Sequence, residues 1–239
     1  HSAGQSTHMV KAAGPFNVLA QRGWLAHTPP NFRKAVLART QLRAFRKGAA
    51  VYRLHDPPGG LWAVVKGAVE LELPSPGTAT HPVHFAAPGF WFGEGPLVVG
   101  TSRMMTVMAS RPSTLATLPL ADCHAILKAD PAAWRWIALL SLMTLELSAG
   151  GMADLLLRDP AKRVAALLLR LSGMRSAVFA SQEPAPIYLS QEKLAQLANL
   201  SRNSVIPILG EFQKRGFIAA RYGSIVVEDV MGLAATISN

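Results

Sequence analysis

The stretch LSQEKLAQLANLSRNSVIPILGEFQKRG, residues 189–216, decides the fold of this chain. Ser190 stands just ahead of a short helical pattern in which Leu194, Leu197 and Ala198 share one face. A Ser there accepts from the free N–H groups of a first helical turn. Asn199, a residue that tolerates the left-handed conformation of a sharp turn, comes next, and Ser201 offers a second cap. Val205, Ile208, Leu209 and Phe212 then repeat at i, i+3, i+4, i+7, the spacing of one buried helix face, and Gly216 is placed to end the helix. Two short helices joined by a tight turn make a helix-turn-helix, whose second helix enters the DNA major groove with its first residues at base edges. Here those residues are Arg202, Asn203 and Ser204, all hydrogen-bonding types. A helical hairpin inside a core is the plainer alternative.

The flanking sequence favours the first reading. Phe217–Ala220 and Ile225–Val227 have the pattern of two short strands, with Arg221-Tyr222-Gly223-Ser224 as the turn between them. Such a wing carries a cation toward the phosphate backbone. LSQEKLAQLANLSRNSVIPILGEFQKRGFI, followed by GSIVVEDVMGL, resembles the C-terminal winged helix-turn-helix of the cyclic-AMP receptor protein/fumarate-nitrate regulator (Crp/Fnr) superfamily of bacterial transcription regulators. The resemblance implies a homodimer that binds double-stranded DNA, with RNA polymerase as a further partner. Arg202 matches the family's first base-contacting arginine, and its fork suits guanine O6 and N7. Asn203 stands where the family most often has Glu, and Asn pairs best with adenine. Ser190, Gln191, Ser201, Lys214 and Arg221 are the expected phosphate contacts.

Composition sets outer limits. The 239 residues are 50% apolar, enough for two domains with a core each. The net charge of +10 fits a polyanionic partner, but residues 159–239 hold nine Lys/Arg against six Asp/Glu while 1–158 hold fifteen against eight. Charge therefore adds little to the DNA reading. A single cysteine, Cys123, excludes an internal disulfide framework and a four-thiolate iron–sulfur cluster, and fits a reducing cytoplasm. Trp136–Met152, interrupted by Glu146, reads as too short and too polar for a membrane span. His1 to His8, ahead of Met9, reads as a tag remnant, so residues 1–15 are expected to be tag and disordered N-terminus.

From Leu42 to about Leu118 short β-like runs alternate with Gly and Pro: Ala49–Leu54, Leu61–Val65, Val69–Leu73, His81–Ala86, Met105–Ala109 and Thr114–Leu118, with turns at Gly48, Gly67, Gly77 and Gly89. That spacing implies a sandwich or barrel. FRKGAAVYRLHDPPGGLWAVVKGAVEL is similar to the opening of the family's effector-binding β-roll, and PGFWFGEGPLVVGTSRMMTVMAS to its phosphate-binding cassette. In that cassette a Gly-Glu pair serves the ribose, while an Arg with a neighbouring Ser or Thr neutralises a cyclic phosphate. Gly93, Glu94 and Arg103 match. Met104 stands where the hydroxyl belongs and cannot donate to a phosphate oxygen. The expected effector site is thus Gly93, Glu94, Arg103 and Met104, for a small molecule other than a cyclic nucleotide, or closed by its own side chains. His81 and His84, three apart in a strand, fall on opposite faces and make no metal site.

Around this core the helices follow. Thr28 is placed to cap a short helix at Pro29-Pro30. Asp130-Pro131 opens a long helix to about Leu157, apolar on more than one stripe, which demands cover on more than one side. Gly150-Gly151 weakens it by roughly 1 kcal/mol per Gly relative to Ala. Asp159-Pro160 opens another helix, ending at Gly173, with a hinge at 158–160. The fold expected is α+β: an N-terminal β-roll of the cyclic-nucleotide-binding, double-stranded β-helix type (16–129), a long dimerisation helix (130–158) and a C-terminal winged helix-turn-helix (159–239). The expected function is a homodimeric, sequence-specific transcription regulator, not an enzyme. The alternative is a small-molecule-binding or enzymatic β-roll whose C-terminal domain no longer reads DNA. Pro207 gives it substance, because a proline there removes the bond to the Asn203 carbonyl at a cost of roughly 3 kcal/mol. A kinked or irregular recognition helix is expected.

Overall fold

The computed structural model describes residues 14–74, 80–176, 179, 181–221 and 223–238. The tag remnant, the turn at Gly77 and Tyr222 of the wing lie outside them. The chain opens with α1 (Asn17–Gln21), a 3-10 turn (Trp24–His27) and α2 (Pro30–Leu37). Thr28 does not cap α2. Its Oγ1 donates back to the Leu25 carbonyl at 2.7 Å, and Pro29 holds the N-cap position. Pro29 already fixes an extended backbone there, so the hydroxyl serves the preceding turn instead.

Eight strands follow: β1 (Gln41–Phe45), β2 (Ala50–Tyr52), β3 (Leu61–Lys66), β4 (Val69–Pro74), β5 (Thr80–Ala86), β6 (Trp91–Phe92), β7 (Thr106–Ala109) and β8 (Ser113–Leu118). They form two four-stranded antiparallel sheets, ordered β1-β8-β3-β6 and β2-β7-β4-β5. Strands β1 and β6 were not resolved from sequence as separate runs: β1 is almost wholly exposed and β6 is two residues long. Val64, Val69, Leu71, Val107 and Leu115 fill the space between the sheets. A second core joins Leu61, Trp91, Ala116 and Leu118 to the helices, where Trp24 packs edge-on against Trp91 with ring centroids 5.3 Å apart.

Short helix α3 (Gly95–Val99) lies between β6 and β7, and α4 (Leu120–Ala129) follows β8. Asp130 caps a 3-10 turn, Pro131–Ala133, which leads into α5 (Trp134–Leu155). Together they span 25 residues, longer than the run read from sequence, and are apolar enough to cross a membrane by length and composition alone. The two faces of α5 differ. Ile137, Leu140 and Asp154 are buried within the chain, while Leu142 (56%), Leu145 (61%) and Met152 (64%) stay exposed, as does Leu156 (83%) at the C-cap. Gly150 and Gly151 lie under the Arg170 side chain of the next helix, whose Nε donates to Asp154 at 2.9 Å. The glycine pair thus sits where α5 meets that next helix.

Helix α6 (Pro160–Leu171) starts at Asp159, whose Oδ1 accepts from Ala161 and Lys162 N–H. Its buried side chains, Val164 through Leu169 and Leu171, form the floor for α7 (Gln191–Leu197), α8 (Arg202–Lys214), the hairpin β9 (Ile218–Arg221)–β10 (Ser224–Val227) and α9 (Val230–Ser238). One member of that core comes from the roll. Phe85 on β5 is buried among these helices, while its neighbour Ala86 belongs to the roll interior. Successive strand residues point to opposite faces, so His84, Phe85 and Ala86 can all be buried only because both faces of β5 are covered.

Candidate nucleic-acid interface and effector cassette

Each local device of the helix-turn-helix is in place. Ser190 Oγ accepts from Lys193 N–H at 3.2 Å, and Ser201 Oγ accepts from Ser204 N–H at 3.1 Å. Between them Asn199 adopts φ 50°, the left-handed turn conformation. Leu194, Leu197, Ala198, Val205, Leu209 and Phe212 are buried, and Ile208 is partly so. Arg202, Asn203 and Ser204 are exposed on the first turn of α8, as are Gln191 on α7 and Lys214 on the last turn of α8. The Ser204 and Ser201 hydroxyls bond to each other at 2.8 Å, so Ser190, Ser201 and Ser204 all have local partners already.

Helix α8 runs without a break from Arg202 to Lys214 through Pro207, which corrects the expectation of irregular first turns. Pro207 is exposed and sits in the second turn. Only the Asn203 carbonyl loses a donor, and that carbonyl lies in an exposed turn where water can serve it. Arg221 in the wing is not a bare cation: its Nη2 bonds Glu228 at 3.1 Å, with both side chains largely exposed. Such a pair is weak and opens readily to a phosphate.

Sequence reading missed Arg163. On α6, its guanidinium donates to the Leu157 carbonyl at 2.7 Å, and to the carbonyls of Ala198 and Asn199 at 3.2 and 3.3 Å. One side chain therefore ties the α5–α6 junction to the turn between α7 and α8. An arginine in a helix's first turn gives no sign of this, because its partners are distant carbonyls. Also missed were three contacts that join the roll to the helices beyond it. Lys193 on α7 bonds Glu70 on β4 at 2.7 Å, Arg111 stacks over the Tyr188 ring at 4.1 Å, and Phe85 enters the distal core.

The cassette residues come together, but Arg103 faces inward. It is only 4% exposed. Its Nη1 donates to the Gly93 carbonyl at 3.1 Å, its Nη2 to the Gly60 carbonyl at 2.9 Å, and its guanidinium lies 4.2 Å from the Tyr52 ring centroid. Burial lowers the Arg103 pKa and raises that of Tyr52, while the two groups offset each other. Gly93 has φ 93°, and a Cβ there or on Gly59 would collide with the guanidinium, so the glycines hold the room for it. Glu94 precedes α3 and makes no side-chain cap bond. Met104 is exposed and its terminal methyl lies against Gly95. Cys123 is buried, with Sγ 3.6 Å from the Leu118 carbonyl, and burial pushes its thiol up to about 11. Among the described residues no group of three or more His, Cys, Asp or Glu could hold a metal ion.

A capped helix-turn-helix with a wing, joined through a long helix to a two-sheet roll, defines an effector-controlled, DNA-binding transcription regulator. Residues 42–130 match the family described as cyclic nucleotide-binding domain, and residues 162–236 the family described as Crp-like helix-turn-helix domain. The chain belongs to the Crp/Fnr superfamily. It is 26% identical over 231 residues to a CRP-like cAMP-activated global transcriptional regulator of Mycobacterium tuberculosis, covering 91% of this chain and 97% of that one. It is 29% identical to the HTH-type transcriptional regulator Cmr of the same organism, covering 84% and 78%. Its fold is similar to the structure of FixK2 from Bradyrhizobium japonicum, with a TM-score of 0.67, 20% identity, and coverage of 82% and 96%.

Proposed function

We propose that this regulator reads DNA as a homodimer, with Arg202 at a guanine of each half-site and Asn203 and Ser204 at its neighbours. The observation that carries this is the first turn of α8, where three hydrogen-bonding side chains are exposed on a helix whose other face is buried. Ser190, Gln191, Ser201, Lys214 and Arg221 position the helix on phosphates. The exposed apolar stripe of α5 is the dimer seam, which also gives that helix a use other than crossing a membrane. The working units are then residues 16–129, 130–158 and 159–239. The reading is that of a cytoplasmic regulator working with RNA polymerase and not of an enzyme; both curated relatives are transcription regulators by name.

The test is Arg202→Ala against Lys214→Ala on a selected operator. Arg202→Ala is expected to cost roughly 1–3 kcal/mol and to relax one base position. Lys214→Ala is expected to weaken all sequences about equally and to reduce the salt slope. Equal loss on specific and random DNA in the Arg202 variant would remove it as a base reader.

The cassette is read as a pocket closed by its own arginine. Arg103 already spends two of its N–H donors on the carbonyls of Gly93 and Gly60, and a cyclic phosphate would find Met104 where a hydroxyl should stand. Cyclic AMP is therefore expected to bind poorly or not at all, although one relative is named as cAMP-activated. Titration calorimetry with cyclic AMP is expected to show no micromolar affinity. A Kd in that range would mean that the cassette admits the nucleotide despite Met104.

A further inference from the structure

A cavity of about 530 Å³ lies where the roll, α5 and α6 meet. It contains none of the cassette residues: Gly93, Glu94, Arg103 and Met104 are all elsewhere. Its walls are mainly apolar, with Phe90 and Trp91 from the roll, Leu140, Met143 and Leu147 from α5, and Leu171 from α6. That volume and lining are in the range of sites for drug-sized molecules.

Two residues of its walls each carry a buried nitrogen. Trp91 is 1% exposed and His84 is 8% exposed. Neither Trp91 Nε1 nor His84 Nδ1 has a hydrogen-bond partner among the described residues. Buried polar groups are nearly always paired, because an unmade bond there is expensive. The charged groups of the walls have partners, and two arginines share one carboxylate. Arg170 and Arg175 both pair with Asp154, Arg22 leans toward Glu183, and Glu146 accepts from the Ser176 hydroxyl.

We infer that this cavity is a second ligand site, which takes a largely apolar molecule carrying an oxygen acceptor for Trp91 Nε1–H. The apolar body fills the space between β6 and α5, the oxygen meets the indole, and the imidazole of His84 supplies a second polar contact. The site requires no reading of DNA, so it stands or falls separately from the function proposed above.

The test uses the full chain and the uncharged naphthalene ketone prodan, whose carbonyl accepts and whose emission moves to the blue in apolar surroundings. Saturable binding of one prodan per chain is expected, with protection from hydrogen–deuterium exchange in peptides covering 84–91 and 140–150. Gly150→Leu and Met143→Trp, which fill the cavity from α5, are expected to raise the prodan Kd at least tenfold while circular dichroism stays unchanged. No saturable binding, protection confined to 93–104, or an unaltered Kd in a folded filling variant would each overturn the site. If both variants misfold, the exchange pattern of the unaltered chain decides.

Discussion

Replacing Leu142 and Leu145 by Glu is expected to yield a monomer of about 25.6 kDa that has lost operator binding. Both side chains are more than half exposed on α5, and with Met152 and Leu156 they form a stripe spaced by three, seven and four residues. That is the near-heptad rhythm of a helix packed along a partner helix. Each leucine is a little over half exposed, so covering it contributes about 1–2 kcal/mol, and the four leucines of a two-fold seam contribute about 4–7 kcal/mol before the carboxylates repel one another. Removal of that much converts a nanomolar dimer into one that is dissociated at micromolar protein. The loss on DNA follows, because two half-site contacts held in one particle gain roughly 100- to 10,000-fold over separate ones. Light scattering and gel shift on the same preparation check both halves. A variant that remains a dimer would place the seam elsewhere. The inward face of α5 is untouched, so its thermal transition should still be cooperative.

The second large effect is on acid stability. Burial lowers the His84 pKa to about 3 from an unfolded value of 6.5, with the Arg170 charge adding to it. Between those values the unfolded chain holds a proton on this imidazole and the folded chain does not. Protons therefore favour unfolding, and His84 contributes a stability that is complete above pH 6.5 and lost as pH falls toward 3. The slope approaches about 1.4 kcal/mol per pH unit inside that window. Carboxylates titrate in the lower part of it too, so the informative quantity is the difference between the unaltered chain and His84→Leu. Denaturant unfolding at pH 7.5 and pH 5 is expected to show a much smaller drop for the leucine variant. Equal drops in the two proteins would mean that His84 is solvated or charged in the fold.

The parts of this molecule that were legible from sequence are those governed by near neighbours. Ser190, Asn199, Ser201 and Asp159 act within three residues of themselves, so spacing alone placed the caps and the turn. The apolar repeat of Val205, Leu209 and Phe212 worked for the same reason. Pro207 shows where a local rule overstates its case: the penalty falls on one carbonyl in an exposed turn, and the helix carries it. Thr28 failed because two local partners competed and the proline settled which one won. Arg103 could be matched to its cassette position, but its inward turn depends on Gly60 and Tyr52, distant in the chain. Arg163 and the Glu70–Lys193 pair depend on how the roll lies against α6 and α7, which no window of sequence contains. His84 was judged by strand alternation alone, and the helices that cover the far face of β5 were invisible to it.

Phe85 and the Lys193–Glu70 bond bear on how much work an effector has to do. Burial of one phenylalanine against the distal core is worth about 1.5–3 kcal/mol, which corresponds to roughly a 10- to 150-fold preference for the docked arrangement over one in which that ring is exposed. A ligand that moves the recognition helices away from the roll must then bind the undocked form more tightly by at least that ratio, however strong its affinity overall. Phe85 thus fixes a threshold for switching at a residue that touches neither DNA nor the cassette.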